Sequence, residues 1–111
     1  MKFFNKELCQ KLEALGLKSK SGQMYVQDYK HVIIVPSNAS LYMTPYRVYA
    51  LAFSAYDFLS DEEYAKENAR ILFADPKRNK YENRIIVKTC CHALLDADDQ
   101  EKFIEEALNA K

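Results

Sequence analysis

Thr44-Pro-Tyr-Arg-Val-Tyr-Ala-Leu-Ala-Phe-Ser-Ala-Tyr-Asp-Phe-Leu-Ser60 is the longest nearly apolar run in the chain, and the architecture turns on its conformation. Thr44 suits an N-cap, and Pro45 suits the first helical position, where a missing N–H costs nothing. Tyr46, Tyr49, Phe53 and Tyr56 recur at spacings of three and four, the stripe of a helix. Only Arg47, Ser54 and Asp57 are polar between Tyr46 and Phe58. A helix apolar on most of its circumference is ordinarily buried. The spacing therefore predicts a central Tyr/Phe-rich helix over 45–59, too short to span a bilayer.

Upstream, Asn5 is a natural cap for a helix over Lys6 to Leu15, with Leu8, Cys9, Leu12 and Leu15 inward and Gly16 as its stop. Gln23-Met-Tyr-Val-Gln27 and His31-Val-Ile-Ile-Val35 are short and rich in β-branched or aromatic residues. They predict an antiparallel β-hairpin over about 23–35, which needs helices against one face because two strands alone are marginal in water. Downstream, Ser60 with Glu63 three residues on reads as a capping box for a helix ending near Phe73, before the break at Asp75-Pro76. Residues 81–96 are β-prone by composition at Ile85-Ile-Val-Lys-Thr-Cys-Cys91. However, Lys80, Arg84, Lys88, His92 and Asp96 recur every four positions, which favours a helix. A last helix follows Asp98, with acids in its first turn where the dipole favours them. The expected fold is α-dominated α+β: about five helices and one small hairpin in a single domain over 1–111.

The chain has 111 residues and a formal net charge of zero, so nothing pulls it globally toward nucleic acid or acidic lipid. Charge is uneven: residues 1–60 carry +3, 61–95 carry +1 and 96–111 carry −4. The start, Met1-Lys-Phe-Phe-Asn-Lys-Glu7, lacks the apolar run of an export signal, and Cys9, Cys90 and Cys91 have no framework spacing. A reducing, cytoplasmic setting is expected, with no membrane partner.

Chemistry-bearing motifs are few. Gly16 and Gly22 are the only glycines, which removes the phosphate loop, the dinucleotide fingerprint and the nucleophile elbow. Cys90-Cys91-His92 offers thiolate or zinc chemistry in principle. On a helix, though, neighbouring side chains diverge by about 100°, and small buried cysteines are the plainer reading. Asp96-Ala-Asp98-Asp99 opens like a calcium loop, but Glu101 stands where glycine is needed and Ala107 where glutamate is needed. No catalytic residue, cofactor or metal is assigned. The basic residues Lys77, Arg78, Lys80, Arg84 and Lys88 make a stripe that could neutralise phosphates. Eight tyrosines without a tryptophan exceed what a core this size needs, and Tyr42, Tyr46, Tyr49 and Tyr56 are the candidates for a contact patch. The function these features favour is a small non-enzymatic regulator or adaptor of inhibitor or antitoxin type, binding another protein or a second copy of itself. Nucleic-acid binding through 77–88 is the alternative, and a thiol-dependent enzyme the third.

Overall fold

A computed structural model describes residues 2–38, 47–73 and 97–110. They form helix α1 (Lys6–Ala14), strands β1 (Gln23–Asp28), β2 (His31–Pro36) and β3 (Arg47–Leu51), and helices α2 (Tyr56–Leu59), α3 (Glu63–Phe73) and α4 (Ala97–Asn109). The chain divides into two compact units, one over 3–53 and the other over 54–111 together with Lys2.

Local signals define the first helix. Asn5 Oδ1 accepts the Leu8 N–H at 2.8 Å, and Gly16 adopts φ +84° just past the end. Gly16 donates to Glu13 O and Leu17 to Leu12 O, which closes the helix in the Schellman pattern and brings Leu12 and Leu17 into the core. Leu15, expected on the inner face, is exposed, because the helix stops one residue before it.

The hairpin forms as β1 and β2, but it belongs to a three-stranded antiparallel sheet of order β2-β1-β3. This corrects the expected architecture: the described residues hold four helices and three strands, not five helices around a hairpin. The central helix over 45–59 does not exist. Residues 47–51 pair with β1 as a strand, and only Tyr56–Leu59 is helical. The cause is tertiary. β1 has a second edge to satisfy, and β3 satisfies it on one side while α1 satisfies β3 on the other. Ala52 donates to Gln23 O (2.9 Å), whereas Leu51 donates to Glu13 Oε2 (2.9 Å) and Phe53 to Cys9 Sγ (3.2 Å). Phe4 donates to Phe53 O at 2.8 Å. An irregularity between Tyr25 and Val26 shifts the β1–β3 register by one residue at Tyr49. The core of this unit is Phe4, Leu8, Cys9, Leu12, Leu17, Met24, Val26, Ala50, Ala52 and Phe53.

In the second unit, α3 is described over Glu63–Phe73, and its start differs from the expected one. Glu62 O accepts from Ala65 and Lys66, so the helix is entered at Glu62. Ser60 instead closes α2, and its buried Oγ has no partner among the described residues, so the Ser60–Glu63 capping box is not made. Phe73 of α3 packs on Phe103 of α4 with ring centroids 5.4 Å apart, beside the buried Ile104. The helix expected over 81–96 lies outside the described residues. Among the described residues, no helix is long and apolar enough to cross a membrane.

Candidate binding surface

β1 and β2 pair without a break from Gln23↔Pro36 to Asp28↔His31, leaving Tyr29 and Lys30 as the turn. Because strand side chains alternate, Met24, Val26, Ile33 and Val35 share one face, and Tyr25, Gln27, Val32 and Ile34 the other. The first face is covered over β1, where Met24 and Val26 are buried. On the second face the apolar side chains of β2 lie open: Val32 is 46% and Ile34 38% exposed. β2 is also an outer strand of the sheet.

Tyr29 at the turn is 76% exposed and holds φ +53°. Gly or Asn normally fills such a left-handed position, since a Cβ there crowds the carbonyl that follows. Gln27 supports the turn by donating Nε2–H to Tyr29 O at 3.0 Å. So exposed a ring adds little to packing, and its backbone conformation is costly for a tyrosine.

The tyrosines named from the sequence do not form one helical stripe. Tyr49 lies half-buried on β3, donates its hydroxyl to Gln27 Oε1, and has Lys6 Nζ 4.1 Å and Arg47 Cζ 5.2 Å from its ring centroid. Both are cation–π contacts within the first unit. Tyr56 is on α2 in the other unit, exposed, donating to Glu62 Oε2 at 3.2 Å. That hydrogen bond and the Glu62 charge raise its pKa. Tyr42 and Tyr46 lie outside the described residues, as do the whole basic stripe Lys77, Arg78, Lys80, Arg84, Lys88 and the Cys90-Cys91-His92 tripeptide. Cys9 is buried and serves as a hydrogen-bonding bridge between α1 and the segment after β3.

No protein-family model, curated protein or solved structure matches this chain.

Val32, Ile34 and Tyr29 do not stand out as contact residues in the sequence. The available signal was the run Val32-Ile-Ile-Val35, apolar at both strand parities and free of the inward charges that usually guard an edge.

The second unit holds a polar cluster around Asp57. Its Oδ2 accepts from Ser54 N (3.1 Å), its Oδ1 from Tyr64 OH (2.9 Å), and its carbonyl from Asn68 Nδ2 (2.9 Å). Burial, then the hydrogen bond and charge of Asp57, push the Tyr64 hydroxyl well above its ordinary pKa of 10.0. A phenol with a raised folded-state pKa stabilises the fold below pH 10, and that contribution is lost as pH rises through the folded value. In an alkaline titration followed by phenolate absorbance, a late-ionising tyrosine is expected. Tyr64→Phe should remove that step and flatten the loss of stability above pH 10. A variant with an unchanged alkaline profile would refute the assignment. Among the described residues, no group of His, Cys, Asp or Glu is placed to hold a metal ion.

Proposed function

We propose that this chain is a small cytosolic regulator or adaptor, without enzymatic activity, that binds another polypeptide through the β1–β2 hairpin. What supports this reading is the coincidence on β2 of an outer-strand position with the exposed side chains of Val32 and Ile34. A sheet edge of this kind takes an added strand, whose main-chain hydrogen bonds give affinity while side chains give selectivity. Tyr29 at the tip adds a large, rigid, amphipathic contact. Its left-handed backbone fits a residue kept for contact rather than for the turn.

The test is capture from a lysate with and without nuclease, using the wild-type chain, Ile34→Lys and Tyr29→Gly. The expected result is a protein that survives nuclease, is lost with Ile34→Lys and is weakened with Tyr29→Gly. Circular dichroism should be unchanged for both variants, and the melting temperature of Tyr29→Gly unchanged or raised, because glycine accepts the positive φ. Capture that vanishes with nuclease, or that ignores both substitutions, would reject the hairpin as the binding surface.

A further inference from the structure

The outer edge of β2 can be specified group by group. Ser37 donates its N–H to Gly22 O at 2.7 Å, continuing the β1–β2 ladder. By alternation Val35, Ile33 and His31 also turn their N–H and C=O groups toward β1, so Val32, Ile34 and Pro36 turn theirs outward. Pro36 has no N–H. The outward donors of β2 are therefore the amides of Val32 and Ile34, the same residues whose side chains are exposed. Among the described residues nothing pairs with this edge.

We infer that β2 joins the β2 strand of a second copy, antiparallel, across a two-fold axis at Ile33. This rests on the hairpin as binding surface and names its partner. The result is one continuous sheet of order β3-β1-β2-β2-β1-β3, with the inner two strands from different protomers.

The edge is complementary to itself. With Val32 opposite Ile34 of the partner copy, and the reverse, each of these residues exchanges both its N–H and its C=O across the axis. No outward amide of β2 is left over. A two-fold axis normal to the sheet keeps the same face up in both copies. The exposed Val32 and Ile34 side chains then meet as apolar cross-strand pairs. Pro36, which cannot donate, falls opposite Lys30 of the turn, where no ladder bond is required. Charge agrees with this register. No Lys, Arg, Asp or Glu lies between His31 and Asn38, and Lys30 of each copy comes beside the uncharged Pro36 of the other. With a formal net charge of zero, the copies carry no long-range repulsion.

Sedimentation velocity over a concentration series of the full chain is the first measurement. The expected mass rises from one chain toward two, and Ile34→Lys, which places charge on an already exposed position, abolishes the rise. The register is tested by cross-linking in a Cys90→Ala/Cys91→Ala background. Across the axis the two Ile33 residues form a non-hydrogen-bonded pair with Cα atoms about 4.5 Å apart, within disulfide range, so Ile33→Cys should oxidise to a covalent dimer. Val35→Cys should not, since its two copies are about 14 Å apart along the strands. A chain that is monomeric throughout overturns the inference. So does a dimer indifferent to Ile34→Lys, or one in which Val35→Cys cross-links as fast as Ile33→Cys. The two readings fail separately: a monomer that still captures a protein in an Ile34-dependent way loses only the second copy as partner. A monomer without such capture overturns both.

Discussion

Phe53→Ala is expected to destabilise the protein by about 3–5 kcal/mol, the range for deleting a fully buried phenylalanine. The ring is completely buried, and its residue is a junction of the first unit. Phe53 N–H goes to Cys9 Sγ on α1, and Phe53 O receives the Phe4 N–H, so the main chain is held from both sides where the ring enters the core. Such fixation prevents the backbone from collapsing into the space left by the ring, which places the cost toward the upper part of the range. For cooperative units of about 60–100 residues, 1 kcal/mol corresponds to about 4–8 °C in Tm, so a loss of more than about 12 °C is expected. Phe53→Leu fills most of the volume and should cost about 1.5 kcal/mol or less. Thermal melts of the two variants against the wild type measure this directly. An alanine variant that melts with the wild type would mean that Phe53 is not part of the core.

Phe53 also shows why the sequence was legible in some places and not in others. Asn5 and Gly16 act within a few residues of themselves, and so the first helix could be read from composition alone. The hairpin is likewise local: two β-branched runs joined by a short turn pair with each other before anything else is specified. Residues 47–53 are different. Tyr46, Tyr49, Phe53 and Tyr56 carry helical spacing, while the strand pattern, with Ala50 and Ala52 buried, is masked because alanine is a strong helix former. What decides between them is the second edge of β1 together with Glu13 and Cys9, groups about forty residues upstream whose proximity no local pattern encodes.

The candidate surface was illegible for a related reason. Val32 and Ile34 read as ordinary strand residues, and the surplus of tyrosine points instead to Tyr42, Tyr46, Tyr49 and Tyr56. Only the strand order shows that β2 is an outer strand, and only the register shows which of its amides point away from β1. The backbone sign at Tyr29 is equally invisible in composition, because tyrosine rarely takes a positive φ. Once the sheet order is known, an apolar edge with no charged residue between His31 and Pro36 becomes a statement about partners, since natural sheets ordinarily protect such edges with charge.

Asp57→Ala should be the second large loss, about 2–3 kcal/mol, and its cause is polar rather than apolar. Asp57 is 1% exposed, yet the fold keeps a carboxylate there because donors converge on it from Ser54 and Tyr64. α2 is only four residues long and cannot hold itself together, so the carboxylate joins its N-terminal turn to Tyr64 on α3. Removing it takes an acceptor away from two donors at once. Asp57→Asn keeps the volume and one oxygen but sets an amide N–H against one of those donors, so its cost should fall below that of alanine without vanishing. Tyr64→Phe removes the donor from the other side. If the hydroxyl–carboxylate bond is what links α2 to α3, the double variant Asp57→Ala/Tyr64→Phe will be less destabilised than the sum of the singles, by about 0.5 kcal/mol or more. Urea unfolding of the four proteins measures that coupling. Strict additivity, or an Asp57→Ala loss within about 0.5 kcal/mol of zero, would show that the cluster is incidental to the packing of the second unit.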